Sequence, residues 1–248
     1  MGYTELIVEW FGLASDLRDA CLSLLSRTQV QTAESLEESP DLFAVLLFCR
    51  TITNFRGAIS LFRQGLIIEA QTLQRSCFEN SLWLRRLAHE GIAFAKAISD
   101  DGLFNEASFA NLVMPRVTDE NTLGQVKGHM NLGKGRKRID VKGPSTLDGV
   151  VEDYTEFRRL SMSAAHPSST SLLRHLVKNI DTGDYEIAVE VAEDDEELIT
   201  NLFFTVAAMM HTLSSFIECM SLPDGERVRN EMAARIVALQ GKAVILGR

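Results

Sequence analysis

Prolines are scarce in this chain, and where they fall limits what it can fold into. There are five, and four of them separate long stretches in which apolar residues recur every three or four positions. Proline in a helix interior removes a hydrogen bond and clashes with the preceding turn. Proline-free stretches with a 3.6-residue period are therefore read as long amphipathic helices. Leu6, Trp10, Leu13, Leu17, Cys21 and Leu24 mark the first, over residues 4–27. Ser39-Pro40-Asp41 opens the second, because proline is tolerated in a first turn. Gly65 ends or kinks it, and a third helix is expected over residues 66–99. Another should start at Pro144-Ser145-Thr146 and run to Ala165, where Pro167 stops it. Around residues 177–191 the chain alternates like a two-stranded hairpin, with its turn at 181–184. Asp194, Asp195, Glu196 and Glu197 then place acids at the positive end of a helix reaching about residue 222. Phe203, Phe204, Val206, Met209, Leu213, Phe216 and Ile217 cover most of its circumference, which marks it as the central helix. A last amphipathic helix begins near Asp224. The expected fold is mainly α: a single-domain bundle of six or seven helices over residues 1–248, with a small β-hairpin insertion.

Composition narrows the function classes. Hydrophobic residues make up 46% and charged residues 24%, as in ordinary soluble globular proteins. The unbroken apolar runs fall short of the ~20 residues that a membrane span needs. The first residues lack the basic start of a secretory leader, so no membrane partner is expected. A net charge of −9 disfavours general nucleic-acid binding. The charge is uneven, however. Residues 124–144 hold Lys127, Lys134, Arg136, Lys137, Arg138 and Lys142 against Asp140 alone, a local +5. This segment is read as a flexible basic loop that either holds RNA phosphates, chiefly through Lys134, Arg136, Lys137 and Arg138, or is simply solvated. It has no aromatic residue on which bases would stack. Gly128, Gly133 and Lys134 imitate a phosphate-binding loop, but Gly135 stands where Ser or Thr must hold magnesium.

The cysteines (Cys21, Cys49, Cys77, Cys219) form no C-x-x-C pair and sit in apolar helical patterns. They read as buried free thiols of a protein in a reducing cytoplasm. No metal or cofactor is expected: the histidines show no ligand spacing, and no His follows a Glu by three positions. His211 lies on the face of Phe204 and Ala208 and is read as a satisfied core histidine.

Two sets of polar residues stand out. On the third helix Glu69 falls within the stripe of Leu66, Ala70, Leu73, Cys77, Leu84 and Leu87, while Arg75, Glu79 and Arg86 share another stripe. A carboxylate on an apolar face must find a partner or protonate. Glu69, Arg75 and Glu79 are therefore read as interhelical ion pairs or as part of a polar site. The second set is the run from Tyr154 to Pro167. Arg159 and His166 are seven residues apart, which places them on one face of a continuous helix. Alternatively, His166 caps helix-end carbonyls beside Pro167.

Arg-x6-His resembles the Arg-x(4–6)-His pattern of HEPN ribonucleases. That resemblance implies a metal-free centre in which the histidine acts on a ribose 2′-hydroxyl and the arginine stabilises phosphate charge. More broadly, Glu69-Ala70-x-x-Leu73-x-Arg75-x-x-x-Glu79, followed by Leu160-Ser161 and His166-Pro167-Ser168, resembles a prokaryotic all-α domain-of-unknown-function family with HEPN-like character. The resemblance spans about residues 42–213. It implies a bundle in which Glu69, Arg75, Glu79, Ser161 and His166 cluster, with Tyr154 nearby, and it brings no established activity. Two departures stand out: four residues separate Ser161 from His166 where three are expected, and Phe157 replaces a usual tyrosine.

The leading functional expectation is a metal-independent RNase or toxin/defence-type effector centred on Arg159 and His166. The rival is a non-catalytic helical binding or scaffold module, dimeric, with a buried polar network. A third reading is a small-anion pocket lined by Arg75, Arg86 and Arg159. The long apolar faces and the all-round apolar helix favour a homodimer.

Overall fold

Helix boundaries follow the capping chemistry of the sequence. The computed structural model describes residues 2–30, 39–142, 150–189 and 194–246. Helix α1 spans Tyr3–Leu25. Helix α2 spans Pro40–Arg63, and its N-cap Ser39 accepts a hydrogen bond from the Leu42 amide, leaving proline where no amide donor is needed. Helix α3 spans Ile67–Glu90 and α4 spans Ile92–Val113. The single third helix expected over residues 66–99 is thus two helices. Gly91, at φ +56°, breaks it, and the second piece runs on past residue 99 to Val113. That backbone conformation favours glycine, whereas the apolar period continues through the break and conceals it.

A 3-10 turn at Met114–Arg116 leads into α5, Glu120–Leu132, which takes up residues 124–132 of the segment expected as a basic loop. Helix α6 spans Val150–Ser163 and the short α7 spans Ser169–Leu173. The expected start at Pro144 lies outside the described residues. Strands β1 (Leu176–Lys178) and β2 (Tyr185–Ile187) pair antiparallel, Val177 facing Glu186. Gly183 closes their turn at φ +78°. The expected hairpin end at residues 190–191 lies outside the described residues. Helices α8 (Asp195–Cys219) and α9 (Pro223–Leu246) complete the chain. The described residues therefore form a mainly α bundle with one small hairpin. They hold nine α-helices, the additions to six or seven coming from the break at Gly91, from α5 and from the short α7.

Helix α8 is the central element and packs against α1, α2, α3 and α9. Its N-cap Asp194 accepts from the Glu197 amide at 2.7 Å. Its apolar circumference is covered within the chain itself. Phe216 stacks on Phe48 of α2 at 3.9 Å, and Phe203 meets Trp10 of α1 edge-on at 6.1 Å. α2 and α8 are long and apolar enough by composition to cross a membrane, but both lie packed among other helices of this core. On one side of this core, α6 lies along α3, bringing three polar surfaces to one junction.

Candidate functional site

Helix α3 is the hub of that junction because its buried face is unusually polar. Gln71, Gln74, Asn80 and Ser81 are buried alongside Ile67, Ala70, Cys77 and Leu84. Buried polar groups need partners; Gln71, Gln74 and Ser81 find theirs on α6 and α8, while Gln74 Oε1 and Asn80 Nδ2 have none among the described residues. Gln71 Nε2 donates to Asn201 Oδ1 at 3.1 Å and Gln74 Nε2 to the Asn201 carbonyl at 3.2 Å. Arg174, just past α7, donates to Gln71 Oε1 at 3.2 Å and to Glu197 Oε1 at 2.7 Å.

The deepest charge belongs to Asp153 of α6, 1% exposed. Its Oδ1 accepts from His211 Nδ1 at 2.7 Å. Its Oδ2 accepts from Ser81 Oγ at 2.8 Å and pairs with Arg85 Nη2 at 3.1 Å. One carboxylate therefore fastens α3, α6 and α8 together. Because the carboxylate is an acceptor, His211 carries its proton on Nδ1. No hydrogen bond engages His211 Nε2 among the described residues, and the imidazole is 41% exposed. His211 is thus a half-exposed partner of a buried acid, not the core histidine expected.

Next along the interface, Arg75 Nε donates to Ser161 Oγ at 2.8 Å, and Arg75 Nη1 meets Glu79 Oε2 at 3.3 Å. The guanidinium lies 4.3 Å from the Phe157 ring centre, and Tyr154 stacks with Phe157 at 6.0 Å. Five of the residues named from sequence thus separate into two sets. Arg75, Glu79, Ser161 and Tyr154 come together, as the polar-network reading expects. Glu69 does not, because it is exposed on α3. The face actually buried is centred on Ala70, Gln71, Gln74, Cys77 and Ser81, which turns Glu69 toward water.

The pair chosen for catalysis is also separated. Arg159 stays on α6, where its Nε binds Glu156 Oε2 at 2.7 Å and its guanidinium lies 5.7 Å from the Phe204 ring centre. His166 falls three residues beyond Ser163, the last residue of α6, and is exposed. Pro167 disfavours helical backbone at His166, so the seven-residue spacing no longer measures two turns of one helix. The His166 carbonyl accepts from the Ser168 amide at 2.8 Å and from Ser171 Oγ at 3.0 Å. The end of α6 does rest beside α3, where Thr72 Oγ1 reaches the Ala164 carbonyl at 3.5 Å.

The basic segment is anchored. Asp101, buried on α4, accepts from the Ile139 amide at 2.7 Å, Arg136 pairs with Asp100, and Arg86 Nη1 donates to the Asp140 carbonyl at 3.0 Å. Ile139 and Val141 pack against the core. Gly133 makes this possible: a Cβ there would lie 2.2 Å from the Ala107 Cβ and 2.6 Å from the Leu103 carbonyl oxygen. The side chains of Lys134, Arg136, Lys137 and Arg138 remain exposed on a docked backbone. The arginines of the expected anion pocket are tied down separately, Arg75 to Glu79, Arg86 to Glu90 and Arg159 to Glu156.

Among the described residues no three metal-ligating side chains gather. Burial pushes the Cys77 and Cys219 thiols up to about 12 and the Cys21 thiol higher still, so these three are poor nucleophiles. Cys21 and Cys77 are buried, while Cys49 and Cys219 are only partly so. Sequence reasoning missed Asp153, Ser81 and Arg85. The signal for Asp153 was the i, i+3, i+7, i+10 stripe of Val150, Asp153, Phe157 and Leu160, with a carboxylate at its second position. No family model, curated protein or solved structure matches the chain at a significant level.

Proposed function

We propose that this chain is a non-catalytic helical binding module whose polar network fixes the register of α3, α6 and α8 while binding takes place at its surface. The observation that carries this reading is the saturation of Asp153, both of whose oxygens are taken by groups from two other helices. Arg75, Arg86, Arg159 and Arg174 are likewise engaged by carboxylates or polar side chains. Such a network specifies one packing of the helices. A second copy of the chain is the partner proposed for the hairpin. Its strands are exposed on both faces, and Ile180 and Ile187 are 97% and 84% exposed. An isolated two-stranded hairpin is marginal in water, and an antiparallel strand edge can pair with itself about a two-fold axis. Four free cysteines support a reducing, cytoplasmic setting. The test is incubation of purified protein with RNA in a chelator. Intact RNA together with strong destabilisation by Asp153→Ala is expected, and metal-free cleavage would overturn the reading.

His211 supports a second reading, a metal-independent RNase or effector of HEPN-like character. An imidazole held at Nδ1 by a buried carboxylate, with Nε2 unengaged, is equipped to accept a proton from a 2′-hydroxyl. In this reading the centre moves from Arg159 and His166 to His211, and Lys134, Arg136, Lys137 and Arg138 hold the RNA. Cleavage lost in His211→Ala and kept in His166→Ala is the expected pattern. Cleavage lost only in Arg159→Ala and His166→Ala would return the centre to those two residues.

A further inference from the structure

Away from the α3–α6–α8 junction, α1 and α2 diverge around a cleft of about 200 Å3. Its walls carry Ser15 and Arg18 from α1 and Arg56, Ser60 and Arg63 from α2, over a floor that includes Phe55. The positions follow helical spacing. Ser15 and Arg18 are three apart, and Arg56, Ser60 and Arg63 lie on one face of α2. Three guanidinium groups and two hydroxyls thus line one concavity that includes no carboxylate, in a chain of net charge −9.

The arginines are held by different means, and two of them keep their donors available. Asp19 steadies Arg18, its Oδ1 accepting from Nε at 2.9 Å and Nη2 at 2.7 Å. The Arg63 guanidinium lies over Phe11, 4.9 Å from the ring centre. That contact orients the guanidinium and leaves its N–H edge unspent. Neither Arg56 nor Arg63 has an ion-pair partner among the described residues. Ser60 Oγ accepts from Gln64 Nε2 at 3.2 Å, so its own proton is free to be donated. Arg75, Arg86, Arg159 and Arg174 at the α3–α6–α8 side are each answered by a carboxylate; at this cleft only Arg18 is.

We propose that this cleft binds a phosphate-bearing small molecule, a phosphomonoester or diphosphate, through Arg56 and Arg63 with Arg18, Ser15 and Ser60 completing the shell. Guanidinium forks match phosphate oxygens in pairs, and the hydroxyls supply shorter-range donors. A volume of about 200 Å3 is below the range of about 300–1,000 Å3 typical of drug-sized ligands, which suits a phosphate or diphosphate group better than a bulky ligand. This deepens the binding-module reading and rests on it for its biological purpose.

The probes are sodium pyrophosphate and inorganic phosphate, titrated calorimetrically and by thermal shift into the full chain at constant ionic strength, with a short single-stranded RNA as a third arm. Saturable binding of pyrophosphate is expected, weaker for inorganic phosphate. Arg56→Ala and Arg63→Ala, both exposed and remote from the core network, should each lower affinity by about tenfold, the usual worth of a charged hydrogen bond. Circular dichroism of the variants checks that the fold is retained. Absence of saturable binding, or affinity unchanged in the Arg56→Ala/Arg63→Ala double variant, overturns the proposal. So does RNA binding that is tighter than pyrophosphate binding and lost in the same variants, because the phosphate read would then belong to a polymer. RNA cleavage in the same samples, with pyrophosphate binding intact, would defeat the non-catalytic reading and leave the cleft standing.

Discussion

A carboxylate buried among three helices is tolerable only while each compensating neighbour stays in place. Asp153 is such a group, and removing it strands the Arg85 guanidinium, 16% exposed, without its counter-charge. Asp153→Ala should therefore cost about 3–5 kcal/mol, as broken buried pairs do, read from the midpoint of urea unfolding. Glu69→Ala, at an exposed position, should stay within about 0.5 kcal/mol. Equal effects of the two substitutions would refute this assignment of the network. The reasoning that singled out Glu69, a carboxylate within an apolar stripe, was sound in kind but met the wrong residue. Gln71, Gln74 and Ser81 of the same helix are among the polar residues buried there. Polar residues that hydrogen-bond across helices look the same in a sequence as polar residues facing water. The thiols behave more simply. With burial raising its pKa to about 12, Cys77 stays protonated at ordinary pH. A raised pKa means that thiolate accumulates only near and above that value. Labelling of Cys77 in the native protein should stay slow and rise little between about pH 7 and 9, while the unfolded chain exposes all four thiols. Rapid native-state modification of Cys77, located by peptide mass spectrometry, would contradict its burial.

At the scale of elements, the starts of α2 and α8 were legible, whereas the break at Gly91 and the start of α5 were not. Ser39 and Asp194 cap their helices through side-chain oxygens, as their residue types and positions announced. Gly91 gave no such notice, since one glycine inside an apolar period is commonly accommodated in a helix. Gly133 is the opposite case: its value lies in what it leaves out. The contact of α5 with α4 closes to a distance that no Cβ permits. Gly133→Ala should cost about 1–3 kcal/mol through overpacking and loosen the segment beyond it. Hydrogen exchange at the Ile139 amide, now bonded to Asp101, is the sensitive reporter. Protection unchanged in Gly133→Ala would show that Asp101 holds the segment without help from this close approach. The same contacts explain why the basic run is not a loose clamp: its apolar Ile139 and Val141 give it a reason to dock, and buried Asp101 gives it a place.

For the molecule as a whole, the all-round apolar character of α8 signalled burial correctly, but the covering surfaces are α1, α2, α3 and α9 of the same chain. It therefore carries no argument for a dimer, and the exposed hairpin takes over that role. Ile187→Lys should leave the thermal melt nearly unchanged and shift the protein from dimer to monomer in sedimentation velocity. A wild-type monomer at all accessible concentrations would remove the proposed self-association. Periodicity and capping alone determined that this chain is mainly helical, that a hairpin interrupts the helices, and which helix lies at the centre, because these depend on neighbours within a few turns. Which polar residues meet was decided only by tertiary packing. Asp153, Ser81, Arg85 and His211 are distant in sequence and share one point only after α3, α6 and α8 have packed. The arginines at the α1–α2 cleft became a set for the same reason: charge is counted along the chain, but its field is summed in space.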